Sequence, residues 1–219
     1  MNSKWVIVFD WDGTLIDSLP YKIQNASLLF AQRFGVEEER VRNAYRLHSG
    51  IPRRQLFDAI CANLSLPPLT DDTFSQLSKK FSDVNRHVIS KLKVPDDTIN
   101  TLTALKEKQY SLFISTAAAQ EEVSYLARKL GVSFYFTEVL GSKDGFTKGP
   151  VHIAYLREKY GYPDEKFIFV GDEPNDVLLG KQAGILTAVR LGSHDEKTLK
   201  SAAPDFIIHT LFELIDILN

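Results

Sequence analysis

The chain has 219 residues, 44% of them hydrophobic, which suits one large domain or one domain with a smaller insertion and argues against disorder. Its formal net charge is −2, with both signs interspersed, so a nucleic-acid or membrane-surface protein is disfavoured while a local basic pocket is allowed. Cys61 is the single cysteine, which excludes a disulfide within the chain, and nothing suggests a zinc or iron–sulfur site.

The first element is an apolar run, Trp5–Phe9, which reads as a buried strand. It ends abruptly at Asp10-Trp11-Asp12-Gly13-Thr14. From Asp17 the pattern turns helical. Asp17 or Ser18 caps a first helix, Pro20 fits its opening turn, Ile23, Ala26, Phe30 and Phe34 share a face, and Gly35 ends it. A second helix spans Glu37–Leu47, with acidic residues in its first turn, and Gly50 breaks the chain after it. A third starts near Pro52 and buries Leu56, Phe57, Ile60, Cys61 and Leu64, until Leu66-Pro67-Pro68 forces a stop. In the fourth, Phe74, Leu77, Phe81, Val84 and Val88 step by three and four. These spacings predict a small helical bundle over residues 17–90.

Past Val94-Pro95 strands and helices alternate. Helices are predicted over 97–108, 120–130, 150–160 and 175–183, with a last one from Leu211. Strands are predicted over 111–115, 138–141, 166–170, 186–191 and 206–208. Such alternation predicts an α/β fold, a parallel sheet with helices on both faces and sites at the carboxyl ends of the strands. The predicted organisation is a core of residues 1–16 and 91–219, interrupted by an all-helical insertion over 17–90. The apolar start is too short for a signal peptide and no run approaches a membrane span, so the cytoplasm is the expected compartment.

Chemistry concentrates where the first strand ends. Residues i and i+2 of extended chain can point the same way, so Asp10 and Asp12 would aim two carboxylates at one spot. Like charges held close raise each other's pKa unless a cation neutralises them. A divalent cation with oxygen ligands, Mg²⁺, answers that need. The stretch Asp10-Trp11-Asp12-Gly13-Thr14-Leu15 resembles the first signature of the haloacid dehalogenase (HAD) superfamily, Asp-x-Asp-Gly-Thr followed by Leu or Val. Within that superfamily the chain looks like the phosphoglycolate phosphatase and β-phosphoglucomutase types.

Three later loci resemble the remaining family motifs. Ser115-Thr116 closes the strand Ser111–Ser115, and the resemblance implies that Ser115 holds a phosphoryl oxygen, with Thr116 one residue out of register. Lys148, in Thr147-Lys148-Gly149-Pro150, resembles the lysine before a helix; its rival Lys143 lacks the following proline. Gly171-Asp172-Glu173-Pro174-Asn175-Asp176 matches the Gly-Asp-x-x-x-Asp form, with Glu173 replacing the small residue often found there. The resemblance implies that the α/β core is a Rossmann-like doubly wound parallel sheet, and the all-helical insertion falls where the family carries its cap domain.

The resemblance implies a phosphatase acting on a small phosphorylated metabolite. Asp10 would attack phosphorus and form an aspartyl-phosphate. Asp12 would serve as general acid and then general base. Mg²⁺ would be held by Asp10, the main-chain carbonyl of Asp12 and Asp172, while Asp176 binds it through water or orients Lys148. Ser115 and Lys148 would grip the phosphoryl oxygens. Arg53, with His48 and Arg54, flanks Gly50 over the expected mouth and is a candidate substrate contact. The alternatives are a sugar phosphomutase using the same residues and, less in keeping with the motifs, a silent binding protein. No nucleic-acid or membrane partner is expected, and the assembly is expected to be a monomer or weak homodimer.

Overall fold

Residues 4–163 and 166–219 are described by the computed structural model; positions 1–3 of the expected first core segment lie outside them. Six strands form one parallel sheet: β1 (Val6–Phe9), β2 (Ser111–Ala119), β3 (Glu138–Ser142), β4 (Phe167–Gly171), β5 (Leu186–Arg190) and β6 (Phe206–Ile208). Their order is β3-β2-β1-β4-β5-β6, the doubly wound arrangement whose ligand crevice lies where the order reverses. That point falls between β1 and β4, which pair Phe9 with Val170 at their carboxyl ends. Asp10 and Asp172 therefore leave neighbouring strands side by side.

The sheet is buried on both faces, as its Val- and Ile-rich strands require. Ile7, Phe9, Leu112, Ile114, Ile168 and Val170 pack one face against α5 (Asp96–Glu107), α6 (Gln120–Lys129) and the C-terminal α10 (Leu214–Ile217). Val6, Val8, Phe113, Phe167 and Phe169 pack the other face with Ile153 and Leu156 of α7 (Pro150–Tyr160). Helix α8 (Pro174–Gln182) follows β4 directly. Among the described residues no helix is long and apolar enough to cross a membrane.

Four helices follow β1 as a unit of their own, ahead of α5 and the rest of the sheet: α1 (Leu19–Phe34), α2 (Glu38–Leu47), α3 (Arg53–Asn63) and α4 (Asp71–Ile89). They enclose their own apolar cluster, centred on Phe57 with Phe30, Phe74 and Phe81 edge-on around it. Cys61 packs there, and burial pushes its thiol up to about 11, so it is inert packing.

Several elements differ from the sequence expectation. On α4 the inward row is Leu77, Phe81, Asn85 and Ile89, while Val84 and Val88 are half-buried. The i+4 row drifts around the helix, and polar Asn85 is admitted because it hydrogen-bonds Asn25 at 2.9 Å and Glu122 at 3.2 Å. Strand β2 runs four residues beyond Ser115, straight into α6. A short helix, α9 (Glu196–Ser201), was not expected; it carries a single buried apolar residue, Leu199, and rests on an Asp195 cap accepting from the Thr198 amide at 2.7 Å. The helix expected from Leu211 opens as a 3₁₀ turn, Leu211–Glu213, before α10.

Candidate active site

Four loops meet at the carboxyl ends of β1, β2 and β4. Asp10 leaves β1, its amide bonded to the Val170 carbonyl at 2.8 Å. Asp172 leaves β4, and its carboxylate accepts from Thr14 at 2.6 Å and from Ser193. Asp176 lies in the first turn of α8, where its Oδ2 accepts from the amides of Asp172 and Glu173, both at 3.1 Å. Carboxylate oxygens of Asp10, Asp172 and Asp176 come within 4.8 Å of one another, all buried. Two glycines make this crowding possible. Gly13 has φ +86°, and a Cβ there would overlap the Asp172 carboxylate. A Cβ on Gly171 would overlap Asp176.

Lys148, in the loop before α7, reaches into the triad. Its Nζ lies 3.0 Å from Asp10 Oδ1 and also pairs with Asp176. Burial favours its neutral form, yet Asp10 and Asp176 hold its pKa above the usual lysine value. Asp10 is raised well above the usual carboxylate range by burial and by Asp176, Asp172 and Asp12, against the pull of Lys148. Asp172 rises to about 7 through burial and the neighbouring Asp176. Three buried carboxylates against one ammonium leave a negative excess, and an oxygen-liganded divalent cation fits both its charge and its donors.

Asp12 faces elsewhere. Its carboxylate accepts from Ser18 at 2.6 Å and pairs with Lys22 at 2.5 Å, turned from the triad toward the helices. Asp12 and Lys22 line a pocket with Asp10, Lys148, Thr116, Ala117, Tyr45 and Arg53. The free space it encloses is about 60 Å³, room for a handful of waters.

The expectation for Ser115 requires correction. Its hydroxyl lies 2.9 Å from His152 Nδ1 and accepts from the Gly149 amide at 3.4 Å. Adjacent strand residues take opposite sides, so Ser115 joins Phe113 on the α7 face, and Thr116 lines the pocket instead. Lys143 is exposed. Arg54 turns outward to Asp58 and Asp71. Arg53 faces the pocket, bonded to Glu122 at 2.6 Å and Ser82 at 2.6 Å. His48 is half-buried outside the pocket lining, but its neighbours latch onto the fourth motif. Ser49 donates to Glu173 at 2.7 Å, and Asn175 donates to the Gly50 carbonyl at 2.9 Å.

The family model for haloacid dehalogenase-like hydrolases matches residues 7–189. The chain belongs to that family. A protein named phosphoglycolate phosphatase from Vibrio vulnificus (strain YJ016) is 30% identical over 220 residues, covering 97% of this chain and 95% of its own. One of the same name from Vibrio cholerae serotype O1 is 29% identical, with 98% of each covered. A crystal structure from Haemophilus somnus 129pt, described as a predicted phosphoglycolate phosphatase, superposes over 100% of both chains with TM-score 0.82 at 22% identity, a likeness of fold.

The sequence reading of this hydrolase missed a second charged cluster, where the four-helix unit meets the sheet domain. Glu122, in the first turn of α6, has a fully buried side chain. It pairs with Arg53 of α3 at 2.6 Å and Lys22 of α1 at 3.3 Å, and accepts from Ser82 at 2.7 Å and from Asn85. Its signal was present: Lys22 shares the buried side of α1 with Ala26 and Phe30, and Glu122 that of α6 with Leu126. A charge in an apolar register needs a partner on whatever covers that side. Burial raises the Glu122 pKa, but Arg53 and Lys22 outweigh it and bring the carboxyl down to about 2.

A carboxyl whose folded pKa lies below its unfolded value stabilises the fold above the unfolded pKa and loses that effect as pH falls toward the folded one. The Glu122 contribution is therefore complete above about pH 4.5 and fades toward pH 2. At pH 7 Glu122→Gln leaves two buried cations short of a counter-charge and costs about 3–5 kcal/mol. Thermal melts of both proteins from pH 7 to pH 2.5 should show a Tm gap that is widest above pH 4.5 and closes below it. A gap independent of pH would contradict the ion-pair account.

Proposed function

We propose that this hydrolase is a Mg²⁺-dependent phosphatase that cleaves the monoester of a small phosphorylated metabolite through an aspartyl-phosphate. The observation that carries the reading is the buried triad of Asp10, Asp172 and Asp176 around Lys148, at the switch point of the sheet. The names of the Vibrio relatives point the same way and make 2-phosphoglycolate a first test substrate.

In this reading a carboxylate oxygen of Asp10 attacks phosphorus as the ester bond to the leaving oxygen breaks. Asp12, held toward the leaving-group side by Ser18 and Lys22, gives that oxygen its proton. The Asp12 carboxylate then takes a proton from water, whose oxygen attacks phosphorus and frees Asp10 and inorganic phosphate. Lys148 neutralises the nucleophile and a phosphoryl oxygen together, and Asp176 orients it. Thr116, rather than Ser115, offers the phosphoryl group a hydroxyl. Asp10 and Asp172 would hold Mg²⁺, with the main-chain carbonyl of Asp12 as its remaining contact on that residue. When bound, the ion supplies charge neutralisation between an anionic nucleophile and an anionic phosphate.

Residues 17–90 act as the cap over residues 1–16 and 91–219. A pocket of about 60 Å³ is tight for a phosphate ester, so substrate enters as the cap lifts and water is excluded as it returns.

Purified protein should hydrolyse an aryl phosphate with Mg²⁺ present and without any bisphosphate activator. Exhaustive chelation should remove the activity; turnover that survives it would overturn the metal assignment. Asp10→Asn should abolish turnover while its Tm at pH 7 stays level or rises, because a charge is removed from a crowded, buried site. Residual hydrolysis by that variant near the wild-type rate would exclude Asp10 as nucleophile. Thr116→Val should lower kcat/KM by about 10²-fold or more, the usual effect of losing one positioned donor. Ser115→Ala should act chiefly on Tm through lost contact with His152. The reverse pattern in steady-state kinetics would restore Ser115 to the phosphate.

A further inference from the structure

We infer that Glu122 sets the leaving-group preference of this enzyme, and that the preferred substrate is a phosphate monoester with an uncharged, hydroxyl-bearing leaving group rather than one carrying a carboxylate. The inference rests on the phosphatase reading above.

Lys148 serves the phosphoryl end of the pocket. Among the described lining residues the remaining cations are Lys22 and Arg53, the side chains that a carboxylate or second phosphate on the leaving group would need. Both are already matched. Lys22 lies 2.5 Å from Asp12 and 3.3 Å from Glu122, and Arg53 lies 2.6 Å from Glu122. Glu122 pairs with both cations, and does so even while Asp12 carries the proton it donates, so an anion reaching for either one meets a buried carboxylate already in place. Arg53 is also fixed by Ser82 and Ser78 and by the face of Phe81, 4.9 Å away.

The match is built from opposite sides of the domain junction. Glu122 belongs to α6 of the sheet domain, whereas Lys22, Arg53, Ser82 and Asn85 all belong to the four-helix unit. Glu122 stands behind Arg53, outside the pocket lining, and acts on substrate through the cations in front of it. It is a positioning residue. An incoming carboxylate would have to displace it from a buried ion pair or share its cations, and like charges so placed repel. A hydroxyl-bearing group meets no such barrier. It finds the apolar walls of Leu19, Ile51, Leu56 and Phe81 and the polar edges of Tyr45 and Arg53.

The test compares glycerol phosphate with 2-phosphoglycolate, each by kcat/KM, with an aryl phosphate as control. Wild-type enzyme should favour glycerol phosphate by about tenfold or more, the effect of one unit charge lacking a counter-charge in a partly screened pocket. Glu122→Gln keeps an acceptor for Arg53 and frees one positive charge. It should move the ratio toward phosphoglycolate by about tenfold, mainly through KM. Arg53→Gln with Glu122→Gln removes one charge of each sign and should return the ratio to the wild-type side. Parallel loss on both substrates in a Glu122→Gln protein that still melts cooperatively would reduce Glu122 to a strut and overturn the inference. Should that variant not fold, the wild-type ratio decides. Aryl phosphate turnover with glycerol phosphate no better than phosphoglycolate also overturns the inference, and leaves the phosphatase reading standing. Absence of aryl phosphate turnover counts against that reading itself.

Discussion

The Lys148 ammonium, wedged between Asp10 and Asp176 with Asp172 alongside, is the contact around which the sheet domain is arranged. Bringing three carboxylates so close in a buried place is unfavourable by itself. The fold makes it possible by supplying the geometry from rigid parts. Parallel pairing of β1 with β4 sets Asp10 beside Asp172. The opening turn of α8 fixes Asp176 through two main-chain amides. Bare backbone at Gly13 and Gly171 lets the loops touch. Each device is local, and together they hold a concentration of negative charge that a dianionic phosphate could not approach without cations already in place.

The second charged cluster has a different character. Lys22, Arg53, Glu122 and Asp12 balance one another, and their partners lie on opposite sides of a domain junction. A buried ion pair is weak evidence for net stability, because desolvation offsets most of its attraction. What the pairs record is one seating of the four-helix unit in which Lys22 and Arg53 both meet Glu122. The same network decides what chemistry the leaving-group end of the pocket tolerates.

Much of this was legible in the residues. The strand ending in Asp10, the helical rows of residues 17–90 and the later alternation of strands and helices led to the right fold class. Asp10, Lys148, Asp172 and Asp176 were expected together because their stretches resemble the family's motifs, and the structure brings the four side chains together. What stayed hidden depended on register or tertiary partners. Ser115 and Thr116 are chemically alike neighbours on opposite sides of β2, and which side carries the pocket shows only once His152 of α7 meets Ser115 and the pocket takes Thr116. Asn85 took an inward position expected for valine because Asn25 and Glu122 await it across two interfaces. Glu122 sits in the first turn of α6, where an acid favours the helix dipole, and its cationic partners come from helices far earlier in the chain.

Ser49 and Gly50 of the helical unit clasp Glu173 and Asn175, which interrupt the very loop that bears Asp172 and Asp176. Two equilibria, the seating of the helices and the ordering of that loop, thus share a set of hydrogen bonds. Linkage makes the sharing reciprocal: whatever steadies the loop draws the helices down, and whatever pries the helices away loosens the loop by the same free energy. Seating of the helices and ordering of the loop are, in this protein, coupled through these two hydrogen bonds.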